Sequence, residues 1–135
     1  MKTATQIHKE IETKAQSSLK KMEVICSIKI NEHVRQGDIY VRRIKNITGS
    51  VKIQSRQLAP GNTKGSRHIV ADSISVNLFD GYSGNNIPDF MKGPQIEAKE
   101  KFVITHPEHA HIELPPGNYQ VTYQMDFKRK ERVVD

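Results

Sequence analysis

Tryptophan is absent from this chain, phenylalanine and tyrosine together supply eight of its 135 residues, and there is one cysteine, Cys26. With so few large rings, any core must be built mainly from aliphatic side chains and is modest in size. A lone cysteine excludes an internal disulfide, and its place in Val24-Ile25-Cys26-Ser27-Ile28 reads as a buried thiol in a reducing, cytoplasmic setting. No run approaches the roughly 20 apolar residues of a membrane span, and Met1 to Gln6 lack the apolar stretch of a signal peptide, so no membrane association is expected. Also missing are the Gly-Lys-Ser/Thr order of a P-loop, the Rossmann glycine fingerprint, HExxH, any cysteine pair for zinc, a Gly-x-Ser-x-Gly elbow and a helix-turn-helix. These absences set aside P-loop nucleotide hydrolysis, dinucleotide redox chemistry, serine acyl transfer and sequence-specific DNA reading.

What is present fits one domain, because domains commonly run about 100 to 150 residues. Apolar residues make up 36% of the chain, a thin supply that favours burial of further surface in a homo-oligomer. Twenty-one Lys and Arg against fifteen Asp and Glu leave a formal charge of +6. That balance points to an anionic partner such as a nucleotide or nucleic acid, or to a solvated basic surface. The charge is spread along the chain, with local runs at Lys20-Lys21, Arg42-Arg43 and Lys128-Arg129-Lys130.

Ile7, Ile11, Ala15 and Leu19 recur every four residues, and Met22 follows three later, which predicts an N-terminal helix over residues 1–22 as an appendage or oligomerisation element. From residue 23 to 135 the spacing changes to two and β-branched residues dominate, which predicts a single β-rich domain ending in a basic tail. Candidate strands include Val24 to Ile30, Ile39 to Ile44, Val51 to Ile53, His68 to Ala71, Ile74 to Phe79 and Phe102 to Thr105. The clearest runs from Tyr119 to Phe127, where Tyr119, Val121, Tyr123, Met125 and Phe127 share one face. A Gly/Pro/Asn-rich stretch from Asp80 to Asp89, closed by Gly93-Pro94, predicts a long loop. About seven short strands, one terminal helix and no βαβ alternation predict a mainly β fold, an antiparallel sandwich or a small barrel.

Two segments can carry chemistry. Lys64-Gly65-Ser66-Arg67-His68 combines a glycine, a hydroxyl, two cations and an imidazole, a set suited to holding an anion, although an ordinary polar hairpin loop has the same composition. His106-Pro107-Glu108-His109-Ala110-His111 places three of the six histidines within six residues beside a carboxylate. Imidazole titrates near neutrality and also binds metals. His106 and His109 could act as acid and base on a phosphodiester, with Lys64 or Arg67 stabilising charge. The same groups could bind a nucleotide, cyclic nucleotide or RNA without cleaving it, or serve only as hydrogen-bonded strand residues. No dedicated metal motif or cofactor signature is visible, though a divalent metal held by His68, His106, Glu108 or His109 stays open.

The order Gln36-Gly37-Asp38-Ile39, Leu58-Ala59-Pro60-Gly61 to Gly65 and His68, His106-Pro107-Glu108-His109, then Pro116-Gly117-Asn118-Tyr119-Gln120-Val121 resembles a group of small, poorly characterised bacterial and phage proteins. That resemblance spans about residues 36 to 127. It implies that His68, His106, Glu108 and His109 form one site. Ser66 stands where the group's loop carries its first histidine, a departure that weakens the metal and enzyme readings and strengthens a binding role.

Overall fold

A computed structural model describes residues 21–71, 73–81, 91–126 and 131–132. The expected helix lies outside the described residues except at its end, where Met22 opens a strand instead. The strands are β1 (Met22–Val24), β2 (His33–Gln36), β3 (Ile39–Ile44), β4 (Val51–Ile53), β5 (Ile69–Val70), β6 (Val76–Asp80), β7 (Lys92–Ala98), β8 (Phe102–Thr105), β9 (His111–Leu114), β10 (Gly117–Tyr123), β11 (Met125–Asp126) and β12 (Glu131–Arg132). A 3-10 turn, Lys64–Ser66, precedes β5.

The fold is mainly β, in two principal sheets. One has four strands in the order β1-β9-β8-β5 and the other six in the order β2-β3-β10-β7-β6-β4, while β11 and β12 pair separately. Each principal sheet ends in two edge strands, so among the described residues neither closes on itself and the barrel alternative is excluded. Pairing is antiparallel throughout except for β1 beside β9, which is parallel, with Met22 opposite His111.

Alternation explains the core. Ile39 and Val41 of β3, Ile96 and Ala98 of β7, and Tyr119, Val121 and Tyr123 of β10 point inward from the six-stranded sheet. From the four-stranded sheet Val70, Phe102, Ile104, Ile112 and Leu114 join the same cluster, and Phe102 meets Tyr119 edge-on with ring centroids 5.5 Å apart. Each such fully buried aliphatic side chain contributes about 1.5–3 kcal/mol. Burial and the Pro115 carbonyl bond (2.6 Å) fix the Tyr119 hydroxyl, and desolvation pushes its pKa up to about 12 against an opposing pull from Arg43.

Two expectations need correction here. The alternation from Val24 to Ile30 does not extend β1, because the chain turns at Asn31, whose φ of 74° is left-handed, and Glu32 accepts the Lys29 N–H at 2.6 Å. Of that stretch Ile28 is buried in the core and half-buried Ile25 packs against it, while Cys26 is exposed, not buried. Gly93-Pro94, expected to close a loop, lies inside β7. A Cβ at Gly93 would stand 2.7 Å from Val121 Cγ1, so glycine permits the close approach of β7 to β10, whose pairing shifts register between Gln120 and Thr122.

Candidate functional site

Antiparallel register brings the two sequence segments together. Ile69 of β5 pairs with Thr105 of β8, so the next residues outward, His68 and His106, meet at the strand ends with ring centroids 4.4 Å apart. His109 continues the row, 4.6 Å from His106. On the other sheet, β2 and β3 are joined by the two-residue turn Gly37-Asp38 with Gly37 at φ 57°, the positive value such a tight hairpin demands of its first position. That turn projects Gln36 and Asp38 at His68.

The hydrogen bonds define the protonation pattern. Gln36 Nε2 donates to the carbonyls of Ile104 (3.0 Å) and Ala110 (2.9 Å), so its Oε1 faces His68 as an acceptor. His68 therefore offers Nδ1–H to it at 2.8 Å, while its Nε2 stands 2.8 Å from Asp38 Oδ1. One proton lies on that last axis, on ring or carboxyl, and in both states the pair is neutral overall. That neutrality is what makes a His–Asp contact at 0% exposure tolerable.

His106 is committed in the same way. Its Nδ1 accepts the backbone N–H groups of Glu108 (3.0 Å) and His109 (3.1 Å), and its Nε2–H donates to the Gly65 carbonyl at 3.1 Å. Burial is the main cause that lowers its pKa from the ordinary 6.5. The Gly65 bond pulls the other way, while His68 and His109 push further down and Glu108 pulls weakly up. His106 is thus a neutral imidazole pinning the 3-10 turn to the loop after β8.

The remaining sequence candidates divide into buried and exposed. Gly65 and Ser66 are buried, with Ser66 Oγ 3.1 Å from Thr63 Oγ1. Lys64, Arg67 and Glu108 are exposed, His109 is half-buried, and His111 opens β9 outside the row of tilted rings, its N–H donating to the Lys21 carbonyl at 3.0 Å. Among the described residues neither Lys64 nor Arg67 has an ion-pair partner, and no group of three His, Cys, Asp or Glu is placed to hold a metal ion. The donor set agrees, since both ring nitrogens of His68 and of His106 are already engaged.

Sequence reasoning missed Gln36 and Asp38 as site members. The available signal was the Gly-Asp turn, which places two polar side chains at the tip of a hairpin.

Fold and site together define a two-sheet β protein whose histidine centre is a buried, hydrogen-bonded junction between the sheets. The model of the family described as Domain of unknown function (DUF8820) matches residues 35–124, two thirds of the chain, and the protein belongs to that family. No curated protein and no solved structure matches the chain.

Proposed function

We propose that this protein is a non-enzymatic binding module of β-sandwich form that takes a phosphate-bearing ligand, a nucleotide or RNA, on the surface over the histidine junction. One observation carries the reading: the ring nitrogens of His68 and His106 are spent inside the protein, whereas Lys64 and Arg67 stand exposed, without carboxylate partners among the described residues. The histidines are then scaffold and the cations are contacts. Gly65, whose carbonyl His106 holds, sits between the two cations, so the junction sets where they project. A net +6 draws anions toward the protein as a whole.

Titration of short single-stranded RNA and of nucleotides into the full chain tests this. The double variant Lys64→Glu/Arg67→Glu should stay folded, lose at least about tenfold in affinity and flatten the log–log salt dependence by about one to two units. Hydrolysis of the bound RNA that disappears in His106→Gln while binding persists would replace this reading with a histidine phosphodiesterase.

A further inference from the structure

The outer face of the six-stranded sheet carries a second cluster of polar side chains that the histidine junction does not use. Arg42 of β3 lies opposite Gln120 of β10, and Gln120 opposite Gln95 of β7, so the three form one row across the sheet. Outward-facing residues of a sheet are usually wet, yet both glutamines are 1% exposed. The segment after β3 covers them: Thr48 and Gly49 donate their N–H groups to Gln95 Oε1, each at 2.8 Å. Gln95 Nε2 in turn reaches Thr48 Oγ1 and Gln120 Oε1, each at 3.0 Å, and Gln120 Nε2 reaches the carbonyls of Gly93 and Val121. These amides form a fixed wall.

Between wall and covering segment is a pocket of about 180 Å³ lined by Arg42, Ile44, Asn46, Thr48, Gln95 and Gln120. No carboxylate lines it. Arg42 is half-buried, and among the described residues its guanidinium, the sealed Nε–H included, has no hydrogen-bond acceptor. Its neighbour Arg43 also has a sealed, unmatched Nε–H, but its guanidinium is held by the bond from Nη1–H to the Ile28 carbonyl at 2.9 Å. A half-buried guanidinium without an acceptor has lost part of its hydration with nothing in exchange, and an oxyanion entering the pocket would supply acceptors to its Nη groups. The planar fork of arginine fits two oxygens of one carboxylate or phosphate. Pockets for drug-sized ligands begin at about 300 Å³, so this one holds a single oxyanion group and not a whole nucleotide.

We infer that the Arg42 pocket is a binding site for one oxyanion group, a carboxylate or a phosphate, gripped by the Arg42 guanidinium. It is separate from the surface over the histidine junction and shares no residue with it.

The test is titration of the full chain with inorganic phosphate and, separately, acetate, at ionic strength held constant with sodium chloride. Readouts are the 15N shift of the Arg42 Nε–H resonance and the melting temperature. At least one of the two anions should move that resonance saturably and raise the melting temperature, and the responding anion identifies the oxyanion. Arg42→Gln and Arg42→Lys should each weaken the effect at least about tenfold, the second because lysine keeps the charge but loses the fork. Lys64→Glu/Arg67→Glu should leave it unchanged, which separates this site from the RNA surface. The inference is overturned if neither anion shifts the wild-type resonance saturably, if chloride alone gives the same shift, or if Arg42→Lys responds like the wild type. The wild-type resonance and Arg42→Lys decide the matter even if Arg42→Gln does not fold.

Discussion

His106 shows how far a single side chain can be committed. Replacing it with alanine strands the Gly65 carbonyl and the Glu108 and His109 N–H groups together, and His106→Ala should cost about 3 kcal/mol in urea unfolding. The cluster of His106, His109 and His111 within six residues was legible in sequence, and the resemblance in motif order is what implied that His68 joins His106 and His109. Their roles were not. Whether an imidazole nitrogen is a free base or a spent donor depends on backbone groups that no spacing rule locates, such as the Gly65 carbonyl. Gln36 and Asp38 were harder still, since a glutamine and an aspartate flanking a glycine look like any solvated turn.

At the scale of elements, legibility followed strand length. The seven residues of β10 alternate long enough to declare their face, whereas β1 and β5, of three and two residues, have no period to show. Cys26 was misplaced for that reason: alternation continued past Val24 while the backbone did not. Gln120 stands on the face opposite Tyr119 and Val121, and the covering of that face by Thr48 and Gly49 explains its burial. The β2–β3 hairpin is the element on which the junction turns. Gly37→Ala forces a Cβ into the left-handed region and should cost about 1–2 kcal/mol by thermal unfolding, with a further loss from misaiming Gln36 and Asp38. Gly37→Asn should cost less, because asparagine tolerates that region.

For the molecule as a whole, the junction includes one group, His106, whose protonation is linked to folding. The folded state holds His106 below its ordinary 6.5, so on acidification the unfolded chain takes up that proton first. The stabilisation from its neutral form is complete above about pH 6.5 and drains away below it, by up to about 1.4 kcal/mol per pH unit, until the folded-state value is passed. Urea midpoints measured between about pH 7.5 and pH 5 should fall with acid, and His106→Ala should fall less steeply. A slope that is the same in both proteins would assign the acid sensitivity to other groups.

The sealed seating of His68 and His106 also makes the histidines a clock. A water-borne acylating reagent such as diethyl pyrocarbonate should modify exposed His33 and half-buried His109 at once, and should reach the two enclosed rings only during excursions that part the sheets. The delay between the fast and slow classes then reports how often the molecule breathes.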